Sequence, residues 1–260
     1  MKVPRVAPEL YDADYYLHVA AGALEWSESR GSAFHGVYAA ALDKAGLNRG
    51  DVVVDVGTGR GELLALAVAR GADRAIGVEY SPAAVELARQ TLAANPTAGR
   101  AEVVHADARA LPLPDATADL VTMLDIVEHL TSDELSDALR EVHRILRPGG
   151  LLLAHTMPNR DIYTVTYRLQ RGLVPTRWRA WPRDPRNDFE HRMHVGELNL
   201  GSLRRALRRA GFAGARAELG EWIYADFVPD DRARVLYHRL AAHRPTARFG
   251  VADLWGLGRR

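Results

Sequence analysis

The sequence predicts an α/β fold with a mainly parallel sheet covered on both faces. Three observations carry this. Short, nearly continuous aliphatic runs recur through the middle of the chain, helical stretches separate them, and glycine turns stand where one gives way to the other. The first 50 residues read as helices, over 13–24 with Asp12 as cap and over 32–45 closed by Gly46, forming a flank or a lid. From Asp51 the alternation is regular. Val52-Val53-Val54-Asp55-Val56 reads as a buried strand, 62–70 as a helix, 75–78 as a strand and 82–94 as a helix. Strands follow at 101–105 and 120–124, a helix at 133–146, and a strand at 151–155 after the turn Pro148-Gly149-Gly150.

Residues 158–196 interrupt this rhythm. Pro158, Pro175, Pro182 and Pro185, eight arginines, and the aromatics Tyr163, Tyr167, Trp178, Trp181 and Phe189 mark an insertion. Regularity then returns with an arginine-rich helix over 198–210 stopped by Gly211, a strand at 214–219, a helix at 230–242 and a final strand at 249–257. The expected organisation is an N-terminal helical cap (1–50), a cofactor-binding core (51–157), a lid or substrate-binding insertion (158–196) and a segment that completes the sheet (197–260).

Composition narrows the function classes. A hydrophobic share of 47% in 260 residues suffices for one large core and excludes a mainly disordered chain. No apolar run reaches the roughly 18 residues of a membrane span, and Met1-Lys2-Val3-Pro4-Arg5 lacks the apolar stretch of a signal peptide, so a cytoplasmic location is expected. With no Cys there is no disulfide, thiolate metal site or cysteine nucleophile. The net charge of +1 hides an asymmetry: residues 1–157 carry 14 basic and 22 acidic side chains, residues 158–260 carry 20 and 11. A basic C-terminal part either attracts an anionic substrate or pairs with the acidic part.

The most informative stretch is Asp55-Val56-Gly57-Thr58-Gly59-Arg60-Gly61-Glu62, a strand running into a glycine turn and a helix, where backbone can approach a ligand. Glu79 ends the next strand, placed to accept ribose hydroxyl protons. A dinucleotide site wants G-x-G-x-x-G, yet the sixth place from Gly57 is Glu62, whose carboxylate is expected to repel a pyrophosphate. An adenosine-type cofactor without phosphates fits better.

Here the chain resembles the class I S-adenosylmethionine-dependent methyltransferases, over roughly residues 45–157 and through four ordered motifs. The motifs are Asp55–Gly61, Glu79, Asp107 in His105-Ala106-Asp107-Ala108, and Arg147-Pro148-Gly149-Gly150. The resemblance implies a Rossmann-like seven-stranded sheet of order 3-2-1-4-5-7-6 with an antiparallel last strand. It also implies S-adenosylmethionine held by Asp55, Gly57, Thr58, Gly59, Gly61, Glu79, Tyr80, Asp107 and Ala108.

Candidates for the acceptor side follow the fourth strand. In Asp125-Ile126-Val127-Glu128-His129-Leu130, Asp125, Glu128 and His129 stand three and four apart, so one helical turn would bring two carboxylates and an imidazole together. The pattern resembles the Glu-x-x-Glu-His metal motif of small-RNA 2′-O-methyltransferases and ubiquinone-pathway O-methyltransferases, with Asp125 in place of the first Glu. That implies Mg²⁺ or Mn²⁺ on Asp125, Glu128, His129 and a further imidazole, His191 or His194, acting as a Lewis acid on a diol. A metal-free reading stands beside it, with His129 as a plain base and Glu128 as a helix cap. His105 and His155 read as satisfied strand-end histidines.

Met157-Pro158-Asn159-Arg160, His194-Val195-Gly196-Glu197 and Ser202-Leu203-Arg204-Arg205-Ala206-Leu207 resemble bacterial methyltransferases of glycan and lipopolysaccharide biosynthesis. The expectation is therefore O-methylation of a sugar or oligosaccharide hydroxyl, for example a mannoside of a polysaccharide. Tyr163, Trp178 and Trp181 either stack on the sugar or pack a lid. The rivals are a small-molecule enzyme of natural-product or quinone biosynthesis, an RNA ribose methyltransferase, and a non-catalytic cofactor-binding subunit. No RRM, KH or OB module favours nucleic acid, and a homodimer is compatible with the sequence.

Overall fold

The computed structural model describes residues 6–173, 182–227 and 231–260. Seven strands form one sheet in the order β3-β2-β1-β4-β5-β7-β6. They are β1 (Val52–Val56), β2 (Arg74–Glu79), β3 (Ala101–His105), β4 (Ala118–Leu124), β5 (Leu146–Thr156), β6 (Ala213–Leu219) and β7 (Leu254–Arg259). β1 pairs in parallel with β2 and β4, whereas β7 runs antiparallel to both β5 and β6. The expected order and the reversed last strand are both present.

Continuous apolar strands are explained by which way each residue points. Val53 joins the core with Leu63, Leu64 and Val68 of α4 (Glu62–Ala69) and Leu42 of α3 (Gly36–Ala45). Its neighbour Val54 joins the opposite core, with Leu135, Leu139 and Val142 of α6 (Ser132–Ile145) and Leu203 and Leu207 of α9 (Leu200–Arg209). Both valines are fully buried, as a sheet covered on two faces requires. α5 (Pro82–Ala94) starts where expected, its Ser81 hydroxyl accepting from the Ala84 amide.

Several boundaries differ from expectation, among them the second cap helix, which starts at Gly36 instead of 32. The helix expected over 13–24 breaks into α1 (Ala13–His18) and α2 (Ala23–Ser29), because Gly22 sits at φ +74°, off the helical path. Asp12 does cap α1, accepting from the Tyr15 amide at 2.9 Å. β5 extends back through Pro148-Gly149-Gly150, with a register shift against β4 between Ala118 and Leu120. The last strand starts later, since Ala247–Phe249 forms a 3₁₀ turn instead.

The described parts of the insertion are packed, not detached. Ile162–Thr166 winds as a π-helical turn into α7 (Tyr167–Leu173). Tyr163 is buried with Tyr224 and with Tyr237 of α10 (Asp231–Ala242), so for Tyr163 the packing role holds. Trp178 and Trp181 lie outside the described residues. α8 (Asp188–Met193) is closed by an Asn187–Glu190 capping box and returns the chain to the C-terminal edge of the sheet. Among the described residues no helix is long and apolar enough to cross a membrane.

Candidate cofactor and acceptor site

One cavity opens at the C-terminal ends of the strands, where ligands of open α/β sheets bind. Asp55, Gly57, Thr58, Gly59, Glu79, Tyr80, Asp107 and Ala108 all line it. Gly57 has φ +78°, and a Cβ there would stand 2.8 Å from Ile126 Cδ1, so the turn demands glycine twice over. Gly61 is the exception among the expected cofactor residues. It caps α4 at φ +77° and packs on Ala88, outside the cavity wall.

Glu79 is 5% exposed. Its Oε1 accepts from the Tyr80 and Ser81 amides at 2.7 and 2.8 Å, and its Oε2 from the Gly59 amide at 2.8 Å. Burial pushes the carboxyl above its ordinary range, and the three amides oppose that. Asp107 holds Arg109 through two bonds of 2.9 and 2.7 Å, and Arg109 reaches on to Glu134 at 3.1 Å. Burial raises the Asp55 carboxyl to about 6, against the Thr122 hydroxyl donating to it at 2.6 Å. The Thr58 side chain, in the same wall, joins Thr122 in opposing that rise.

Glu62 does not act as the bare repelling carboxylate expected from sequence. Arg60 Nε and Nη2 each donate to it at 3.1 Å, and Tyr38 Oη donates at 3.2 Å. Arg60 also donates to the carbonyls of Tyr16 and Ala21, tying α1 and the turn after it over the glycine loop. The cap thereby contributes Tyr11, Tyr15 and Tyr16 to the cavity. Sequence reasoning missed these three. The three tyrosines at 11, 15 and 16, at helical spacing in the cap, were the available signal.

At the acceptor end the structure gathers Glu128, His129 and His194, each offering one ligand atom within 4.8 Å of the others. It separates the other two expected ligands. Asp125, at φ +52°, accepts from His155 Nδ1 at 2.7 Å, while His191 is 44% exposed with Nε2 3.9 Å from Asp184. The expected helical turn over 125–129 is only a 3₁₀ turn at Val127–His129, which leaves Asp125 on the strand end and turned toward β5.

His129 Nδ1 lies 3.1 Å from the Met193 carbonyl, which can only accept, so Nδ1 carries the proton and Nε2 presents a lone pair. Burial, then the neighbouring His194, depress its pKa to about 3, so this imidazole is neutral. Glu128 is 1% exposed and accepts from the Thr156 hydroxyl at 2.8 Å. Burial and the Asp125 charge raise its carboxyl to about 7. His194 Nδ1 is buried 3.7 Å from Glu197; burial works against its charge, but the Glu197 and Glu128 carboxylates outweigh it and raise its pKa. Phe189 stacks on Tyr15 at 5.0 Å, closing insertion against cap beside this cluster.

The sheet order and the cavity at its C-terminal edge define the Rossmann-like methyltransferase fold. Residues 53–150 match the family model described as "Methyltransferase domain". A Mycolicibacterium smegmatis protein described as a "probable S-adenosylmethionine-dependent methyltransferase" is 34% identical over 160 residues, 62% of this chain and 51% of that one. The ubiquinone/menaquinone biosynthesis C-methyltransferase UbiE of Enterobacter sp. is 34% identical over 114 residues, 43% of this chain and 45% of that one. The chain thus spans about half the length of these curated relatives. A crystal structure of a SAM-dependent methyltransferase from Archaeoglobus fulgidus shares the fold with a TM-score of 0.59, at 22% identity over 93% of this chain and 100% of that one.

Proposed function

We propose that this protein transfers the methyl group of S-adenosylmethionine to a hydroxyl of a small acceptor. The observation that carries the cofactor half is the charge of the cavity. Asp55, Glu62, Glu79, Asp107, Asp125 and Glu134 line it, and its two guanidiniums, Arg60 and Arg109, are already spent on Glu62, Asp107 and Glu134. Such a wall favours a cationic sulfonium and disfavours a pyrophosphate. Glu79 would take the ribose hydroxyls, Asp107 and Ala108 the adenine side, and Asp55 with the Gly57–Gly59 turn the methionine end.

The cofactor supplies an electrophilic methyl carbon, and this chain's residues align the acceptor against it. His129 Nε2 accepts the acceptor's O–H. As the C–O bond forms and the C–S bond breaks, that proton becomes strongly acidic, so even an imidazole of low basicity takes it. The nearby Glu128 carboxylate stabilises the resulting imidazolium.

A second reading keeps a divalent metal, favoured by the Glu128–His129–His194 cluster. Those three residues would hold the ion, which would lower the pKa of a bound hydroxyl. Within hydroxyl acceptors we favour a saccharide, whose ring suits the Tyr11 and Tyr15 walls. A quinone-type ring is the alternative suggested by the similarity to UbiE, and the product distinguishes them as O-methyl or C-methyl.

The test is methyl transfer from labelled S-adenosylmethionine across a panel of sugars and phenols. His129→Ala should lower kcat about 100-fold or more while leaving S-adenosylhomocysteine affinity within about twofold. A near-normal kcat would remove His129 from the reaction. Activity retained in EDTA supports the metal-free reading, and activity lost in EDTA and restored by Mg²⁺ or Mn²⁺ supports the second.

A further inference from the structure

Beside the acceptor site a second groove runs between α6 and α9, and Arg160, Arg186, Arg205 and Arg209 line it. On α9, Ser202, Arg205 and Arg209 recur at helical spacing and share one face, while Leu203 and Leu207 are buried in the core. Arg186 is engaged by Asp184 at 2.6 Å and by Glu197 at 3.5 Å. Among the described residues Arg160, Arg205 and Arg209 form no ion pair, and neither does Asp133 in the same walls. Three unpaired guanidiniums against one unpaired carboxylate leave two positive charges, the complement of a phosphate monoester dianion.

The groove adjoins the methyl-transfer site. Leu130 lines both cavities, and His194, in the groove wall, packs edge-on to His129 with ring centroids 4.9 Å apart. A small molecule lodged in the groove would lie against Leu130 and His194, which flank His129.

We propose that this groove is a subsite for a phosphate group on the methyl acceptor, so that the substrate is a phosphorylated small molecule, not a neutral one. The inference rests on the reading of His129 as the acceptor-facing residue. Arg205 and Arg209 would grip the phosphate oxygens from α9, and Arg160 would close on them from the start of the insertion.

The experiment is calorimetric titration of inorganic phosphate into the full chain, into Arg205→Gln/Arg209→Gln and into Arg160→Gln. The substituted side chains lie at the surface or half-buried, so the fold should persist. S-adenosylhomocysteine titrated into the same proteins checks this. The wild type should bind phosphate with a Kd of about 1 mM, and the double variant about tenfold more weakly, with nucleoside affinity unchanged. Phosphate binding that is equal in wild type and variants, or undetectable in the wild type, overturns the proposal. So does displacement of phosphate by a single-stranded oligonucleotide at micromolar concentration, which would make the groove a nucleic-acid surface. Should S-adenosylhomocysteine fail to bind the wild type, the cofactor reading falls and the phosphate result is judged separately.

Discussion

His155 shows how one side chain organises the acceptor end without belonging to its reactive cluster. It sits on β5 with Nδ1 2.7 Å from Asp125 and Nε2 3.2 Å from Asp253, and its ring centroid lies 4.4 Å from that of Trp255. Burial works to lower its pKa, but the two carboxylates outweigh it and raise the value to about 10. The imidazolium therefore holds Asp125 in a left-handed conformation that its residue type tolerates only with support. The folded pKa exceeds the unfolded value of about 6.5. Its contribution to stability is thus complete below pH 6.5 and lost as pH rises through 10. His155→Gln should lower Tm at pH 6, and the difference from wild type should shrink toward pH 10. A pH-independent difference would mean that His155 is held uncharged.

At the scale of elements, the buried Arg60–Glu62 pair joins the cofactor loop to the N-terminal cap. Removing one partner of a buried pair commonly costs about 3–5 kcal/mol, because the other charge is left uncompensated. Arg60→Met should therefore destabilise the protein by about that much in urea unfolding, and Arg60→Met/Glu62→Leu should recover part of the loss. A single variant as stable as wild type would show that the cap is held elsewhere. This junction also marks where the sequence stops being legible. β1, α5 and β3 could be read to the residue because local pattern and caps decide them, as with Ser81 before Pro82. Arg60 could not, since its carbonyl partners at Tyr16 and Ala21 lie 44 and 39 residues away. The same holds at the acceptor end. The spacing of Asp125, Glu128 and His129 assumed a full helical turn, and the 3₁₀ turn with the His155 contact sent Asp125 elsewhere.

For the whole molecule, the uneven charge along the chain becomes an uneven charge in space. Acidic side chains of residues 1–157 wall the cofactor cavity, and arginines of residues 158–260 line the neighbouring groove. The Glu128–His129–His194 cluster lies at their seam, with His194 brought by the insertion to His129 on the core. Sheet order was readable because each strand end carries its own motif, and the residues expected at the cofactor all line the cavity except Gly61. The choice between His191 and His194 was not, because it depends on how α8 docks: Met193 and His194 turn inward while His191 faces solvent. An acidic cavity of this kind should select a sulfonium nucleoside over a dinucleotide. Competitive calorimetry with S-adenosylhomocysteine and NADH measures that choice directly. The account predicts micromolar binding of S-adenosylhomocysteine, weakened at least about tenfold by Glu79→Ala, with no heat from NADH. Tight NADH binding that S-adenosylhomocysteine does not displace would contradict it.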